Sequence, residues 1–201
     1  MANIAKYDRE EVIHKAMMLF WEKGFNGAST RDLQQAINMR PGSIYAAFGN
    51  KEKLYSEALE CYSREMAAIL EQRIAEEGTP LAGLEAFFRN VVIERREINP
   101  SEICMLVKTL SEVRDDQPEL MRLSRELLKR TENRFAEILQ QAIKQGEIAE
   151  HSDPRILAKH LQVQMIGLRI YMKTSLNAGA VGELIETVFN SLRVDRRDCP
   201  S

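Results

Sequence analysis

No apolar run in this sequence approaches the roughly 20 residues that span a bilayer. The opening MANIAKYDREEV also lacks the apolar centre of a secretory signal. The protein is therefore expected in the cytoplasm, without a membrane partner. Cysteine is scarce: Cys61, Cys104 and Cys199 are odd in number and far apart, which gives neither a disulfide framework nor a CxxC metal pair. His14, His151 and His160 are scattered, and His160, four residues after Ile156, reads as a helix histidine rather than a ligand. HExxH, GxSxG and a phosphate-cradling glycine loop are all missing. Nothing assembles a catalytic constellation, so an enzyme is not expected and no cofactor or metal is called for. A charge excess of one sign is missing too. The 28 basic and 30 acidic side chains leave a net charge of −2, and the signs also balance within residues 1–60. Any nucleic-acid surface must come from the arrangement of charge rather than its excess. There is no low-complexity tract and no internal repeat.

What the chain does contain is helical periodicity. Its 201 residues, 44% hydrophobic, are enough to bury a core in one or two domains. The informative stretch is Ser29 to Lys53. Ser29 or Thr30 can cap a short helix with Asp32 in its first turn. Leu33, Ala36 and Ile37 then share one face. Asn38 tolerates a left-handed backbone at the helix end, and Pro41 suits the first position of the next helix. Ile44 and Phe48 recur four apart, and Asn50 caps a third helix. Two short helices on a tight turn form the helix-turn-helix unit, whose second helix enters a DNA major groove. A helical hairpin in any helical domain has the same skeleton, so the outer face of the second helix has to decide. Arg40, Gly42, Ser43, Tyr45, Ala46 and Ala47 are small or polar apart from one aromatic with a hydroxyl tip. Small residues permit close approach, hydroxyls bond phosphate oxygens, and arginine forks onto guanine or phosphate.

Residues from about Tyr7 to Tyr62 resemble the TetR family of bacterial transcriptional regulators. The matching pieces are FWEKGFNGAST, RDLQQAINM and PGSIYAAFGNKEKLY. Gly24-Phe25, Ser29-Thr30-Arg31, Ile44-Tyr45, Phe48 and Lys51-Glu52-Lys53-Leu54 all stand at the family's spacing. The resemblance implies an all-α fold of about nine helices. A three-helix, helix-turn-helix DNA-binding domain would occupy 1–52, extending into the helix from 51. A larger helical effector-binding and dimerisation domain would occupy 53–201. It implies that Thr30 and Arg31 begin the positioning helix against the DNA backbone or a base edge. Arg40, Pro41, Gly42 and Ser43 would lead the recognition helix, and Tyr45 and Lys51 would meet phosphates. Pro41 stands where many relatives carry a polar or basic residue, and Ala47 where many carry His. Both departures remove a hydrogen-bonding group and load base reading onto Arg31 and Arg40. The family's short arm before the first helix, here Ala2 to Tyr7, makes Lys6 and Arg9 further phosphate candidates, with a solvated terminus as the alternative.

The first helix is expected to start at Asp8, with Glu11 in an acidic capping box, and to end at Gly24. The helix begun by Asn50 keeps its spacing to about Glu77, before Gly78. At roughly 25 residues it spans almost 40 Å and leaves the DNA-reading part. Thr79-Pro80 opens a further helix that Asn99-Pro100 breaks; Ser101 caps the next, SEICMLVKTLSEV. Asp115 to Pro118 starts a long helix that ends at Gly146, and Asp153-Pro154 and Ala180 open the last two. Those two carry more apolar surface than one core can use: Ile156, Leu157, Leu161, Val163, Met165, Ile166, Leu168, Ile170 and Tyr171 in one, and Val181, Leu184, Ile185, Val188, Phe189 and Leu192 in the other. That surplus suggests a subunit interface. The resemblance implies the same: a homodimer through the last two helices, offering two recognition helices to a palindromic double-stranded DNA operator.

The resemblance also implies a repressor released from its operator by a small-molecule effector. Inward-facing candidates for its pocket are Tyr62, Met66, Phe87, Phe88, Cys104, Met105, Lys108, Phe135, Met165 and Arg169. Each alone also fits ordinary core packing. Lys108 and Arg169 stand apart, because a charge on a mostly apolar helix needs solvent, a partner or an anionic ligand. Cys104, one turn from Lys108, opens an alternative: a thiol-based regulator sensing oxidants or electrophiles. Its plainer counterpart is a small buried hydrophobe. A third reading is a helical protein-interaction module. Salt separates it from the others, since only DNA binding releases counterions.

Overall fold

A computed structural model describes residues 9–113, 117–175 and 177–194. The arm with Lys6, the Asp8 cap, the Asp115-Asp116 cap and Cys199 lie outside them. Among the described residues the chain is all-α, without strands. Its helices are α1 (Arg9–Gly27), α2 (Thr30–Ile37), α3 (Pro41–Phe48), α4 (Lys51–Glu76), α5 (Pro80–Arg89), α6 (Met105–Glu112), α7 (Pro118–Lys144), α8 (Pro154–Ser175) and α9 (Ala178–Asn190). A π-helical segment, Asn90–Glu94, follows α5 directly.

The helix ends follow local chemistry. Ser29 caps α2, with its hydroxyl and the Asp32 side chain in a reciprocal capping box. Asn38 closes α2 with φ 52°, and Pro41 takes the first position of α3. The Asn50 side chain accepts from the Lys53 amide at 2.8 Å, and Thr79 accepts from the Ala82 amide at 3.3 Å. Gly24, at φ 73°, breaks α1 where its end was expected, and the chain then makes one further short turn to Gly27.

Three helix assignments need correction. The Ser101 hydroxyl accepts from the Ile103 amide in a local turn, so α6 begins only at Met105, with Cys104 as its N-cap. A serine bonding its own neighbour offers the backbone an alternative to the helix. The helix opened at Thr79-Pro80 stays α-helical only to Arg89 and then widens into the π segment. The last helix starts at Ala178, before the expected Ala180, because Asn177 accepts from the Ala180 amide.

By compactness the chain forms two units. The first holds α1, α2, α3, α4 to Glu65, α6 and α7 to Leu127; the second holds α4 from Met66, α5, the π segment, α7 from Leu128, α8 and α9. The first unit thus runs along α4 past residue 52 and draws α6 from later in the chain. In it, α1 lies against α2 and α6, and α2 against α3. Its core is aromatic: Phe20 and Phe25 meet the Tyr55 ring edge-on at 4.7 and 5.0 Å, and Trp21 meets Tyr62 at 4.9 Å. In the second unit, α9 packs on α5 and α8. Phe88 meets Phe189 edge-on at 5.1 Å, within a cluster that includes Leu84, Phe135, Leu161 and Ile185.

Candidate nucleic-acid interface

The interface is built up from the junction of α1 and α2. The Asp32 carboxylate accepts from the Ser29 amide at 2.8 Å, the Ser29 hydroxyl at 2.6 Å and the Lys23 ammonium at 2.5 Å. The Lys23 hydrogen bond, followed by the two from Ser29, holds this carboxyl well below the ordinary carboxylate range. A negative charge is thereby fixed at the N-terminus of α2, where the helix dipole favours it.

On α3, Ile44 and Phe48 are buried, whereas Gly42, Ser43 and Ala46 are exposed, as is Arg40 at its N-cap. Pro41, Tyr45 and Ala47 are half-buried between the two faces. A Cβ built on Gly42 would meet nothing within 4 Å, so this face is open and the missing side chain leaves room for a close approach. Thr30 is half-buried; its hydroxyl pairs with the Tyr45 hydroxyl at 2.9 Å, which ties the start of α2 to the middle of α3. Arg31, beside it, is exposed. The structure therefore gathers Thr30, Arg31, Arg40, Pro41, Gly42, Ser43 and Tyr45 on two packed short helices, with Lys51 opening α4.

Lys51 is half-buried, its ammonium 4.7 Å from the centroid of the Phe25 ring. Burial pushes its pKa below the ordinary lysine value, and the Asp32 charge opposes the shift. Arg9, nearly half exposed, has partners within the first unit. Its Nη2 donates to both Glu57 carboxylate oxygens, at 2.6 and 2.8 Å, and its Nη1 to the Ala47 carbonyl at 3.4 Å. Its guanidinium lies 4.5 Å from the Phe48 ring centroid. Sequence reasoning missed this role, since Glu57 lies far along the chain and no local pattern links the two.

The effector candidates fall in both units. Tyr62, Cys104, Met105 and Lys108 belong to the first; Met66, Phe87, Phe88, Phe135, Met165 and Arg169 belong to the second. Tyr62, Phe87, Phe88, Met105, Phe135 and Arg169 are buried, and Met66, Cys104, Lys108 and Met165 half-buried. Both charges reach backbone. Lys108 Nζ donates to the Trp21 and Glu22 carbonyls, at 3.2 and 2.7 Å, and so caps the last carbonyls of α1 before its break. Arg169 Nε donates to the Glu102 carbonyl at 2.6 Å. Among the described residues no three His, Cys, Asp or Glu side chains are grouped to hold a metal, and no helix is long and apolar enough to cross a membrane.

Comparison with known proteins agrees with this fold. The family profile described as "Bacterial regulatory proteins, tetR family" matches residues 12–58, and "Tetracyclin repressor-like, C-terminal domain" matches residues 80–188. The uncharacterized HTH-type transcriptional regulator YezE of Bacillus subtilis (strain 168) is 24% identical over 193 residues, 96% of this chain and 100% of its own. The HTH-type transcriptional repressor ComR of Escherichia coli (strain K12) is 25% identical over 189 residues, 94% of this chain and 89% of its own. Among solved structures, a cysteine mutant of the TetR family regulator CifR, complexed with a 26bp double-strand operator DNA, superposes with a TM-score of 0.85. It is 23% identical and covers 95% of this chain and 100% of its own.

Proposed function

Because the chain belongs to the TetR family of bacterial transcriptional regulators, we propose that it binds a palindromic double-stranded operator as a homodimer, represses transcription there, and is released by a small-molecule effector. The observation that carries the DNA part is the open outer face of α3. Arg40, Gly42, Ser43 and Ala46 are all exposed there, while Ile44 and Phe48 anchor the opposite face in the core. A polar, small-residue helix face held rigidly from behind suits a major groove. Arg31 and Arg40 would read base edges, Thr30 and Ser43 would bond the backbone, and Tyr45 and Lys51 would meet phosphates. The similarity to ComR, a repressor, and to a CifR mutant bound to operator DNA supports the same reading.

Dimerisation is supported by α8. Ile156, Val163 and Ile170 recur every seven residues and are 58%, 65% and 46% exposed. Tyr171 beside them and Leu184 on α9 are exposed too. An apolar stripe at this spacing, facing away from its own core, is the pattern of a helix seam awaiting a partner.

Effector release requires the ligand to favour a DNA-incompetent state over the competent one. The aromatic and methionine candidates of the second unit would hold an apolar ligand, and α4, whose two halves belong to the two units, would carry the shift. The thiol-sensing alternative gains no such support. Cys104 is half-buried at the start of α6, and the Lys108 ammonium is engaged on α1.

The test is selection of random duplexes on the purified protein. Recovery of inverted half-sites, bound with an affinity that falls steeply with salt, supports the reading. A protein that retains no duplex, or one whose retention ignores salt, overturns it.

A further inference from the structure

Arg9 stands at the first turn of α1, where a cation near DNA reads as a phosphate ligand. Its surroundings give it other work. One guanidinium nitrogen, Nη2, donates to both carboxylate oxygens of Glu57 on α4, at 2.6 and 2.8 Å. A second nitrogen reaches the Ala47 carbonyl in the last turn of α3, at 3.4 Å, where an orphan helix-end acceptor welcomes a cation. One face of the cation lies 4.5 Å from the centroid of Phe48, the side chain that anchors α3 in the core. Three elements, α1, α3 and α4, thus meet on one side chain.

The geometry points to Arg9 as a positioning residue for DNA reading: a staple that fixes the C-terminal end of α3 against α1 and α4, and not a phosphate contact. This rests on the reading of α3 as the helix that enters the groove. The carboxylate and the carbonyl are met by two separate nitrogens of one planar group whose face lies on the ring, and a lysine ammonium, with a single nitrogen, cannot replace it at all three. Glu57 is the other half of the staple. Its charge lies on the side chain that orients Arg9, so its removal loosens α3 even though it also removes a negative charge from a DNA-binding domain.

That last point separates the two roles by sign. The experiment compares the parent chain with Arg9→Lys, Arg9→Ala, Glu57→Gln and the double variant Arg9→Ala/Glu57→Gln. The probes are a duplex recovered by the selection above and a scrambled duplex, each titrated at several salt concentrations. A staple predicts that Arg9→Lys, Arg9→Ala and Glu57→Gln each weaken the selected duplex about three- to tenfold. The double variant does no more than Arg9→Ala. The scrambled duplex and the salt slope stay as in the parent, because no phosphate contact has been lost. Thermal unfolding of the two single variants that keep a side chain of similar size, Arg9→Lys and Glu57→Gln, shows whether the fold survives. A phosphate ligand predicts the opposite: Arg9→Lys binds like the parent, Arg9→Ala lowers both duplexes alike and reduces the salt slope by about one, and Glu57→Gln tightens binding. Any of these three results overturns the staple while leaving DNA binding intact. A parent chain that retains no duplex overturns the DNA reading itself, and the staple with it.

Discussion

Arg40 and Lys51 carry the same charge in different surroundings, and the proposed function asks different work of each. Arg40 is exposed at the N-cap of α3 and spends no side-chain hydrogen bond on capping it, so its fork is available to a base edge. Lys51 is half-buried over the Phe25 ring, a point charge held in one place at the start of α4. Arg40→Ala should therefore relax base preference at one position of the half-site by about 1–3 kcal/mol and leave scrambled duplexes little changed. Lys51→Ala should weaken selected and scrambled duplexes alike and lower the salt slope by about one. Titration of both duplexes across salt reads the two effects separately. If the variants bind like the parent, or exchange these signatures, the contact assignment fails. Single residues were legible in the sequence where their surroundings are local: Ser29, Asn38, Pro41, Asn50 and Thr79 all act on backbone within a few positions. Arg9 and Lys108 were not, because the Glu57 carboxylate and the Trp21 and Glu22 carbonyls that claim them come from distant parts of the chain.

At the scale of elements, α6 is joined to α4 by a buried pair of hydroxyls within the first unit. Thr109 Oγ1 donates its proton to the Met105 carbonyl at 2.8 Å, so Tyr55 is the donor in the 2.8 Å contact between the two side chains. Burial raises the Tyr55 pKa from 10.0 to about 12. Tyr55→Phe removes one hydrogen bond and should cost about 1 kcal/mol, whereas Thr109→Val strands the Tyr55 hydroxyl in the core and should cost about 1–3 kcal/mol. The pH dependence has a fixed sign. The folded state holds the phenol proton more tightly than the unfolded state, so parent stability is lost as pH rises from 10.0 to about 12. The Phe variant lacks that loss. Denaturant unfolding of both proteins should show the gap between them narrowing over that window; a constant gap would remove the assignment. Sequence periodicity placed every helix named above, yet it misplaced the start of α6 and did not foresee the π segment. A serine turn at Ser101 and one extra residue in a helical turn barely alter the spacing of apolar positions, so only the packed backbone distinguishes them.

For the whole molecule, the decisive quantity is whether two copies meet along α8 and α9. Val163 sits in the middle of the Ile156, Val163, Ile170 stripe and is its most exposed member. On an isolated subunit a charge there touches little, so Val163→Glu should change the subunit's own stability by no more than about 0.5 kcal/mol. Across a two-fold seam the same substitution places a carboxylate near its own copy and buries both, which an interface of this kind does not tolerate. Sedimentation should then show a dimer for the parent and a monomer for Val163→Glu. A full palindrome should lose about 100-fold or more in affinity, because the second recognition helix is no longer tethered to the first. A single half-site should bind both proteins equally, which distinguishes loss of tethering from damage to the DNA-reading helices. Gln140→Glu, a new charge on the exposed face of α7, serves as the control and should remain dimeric. A Val163→Glu protein that still sediments as a dimer would move the interface away from the α8 stripe. A parent that sediments as a monomer at micromolar concentration and still prefers the full palindrome would mean that the two copies meet only on DNA.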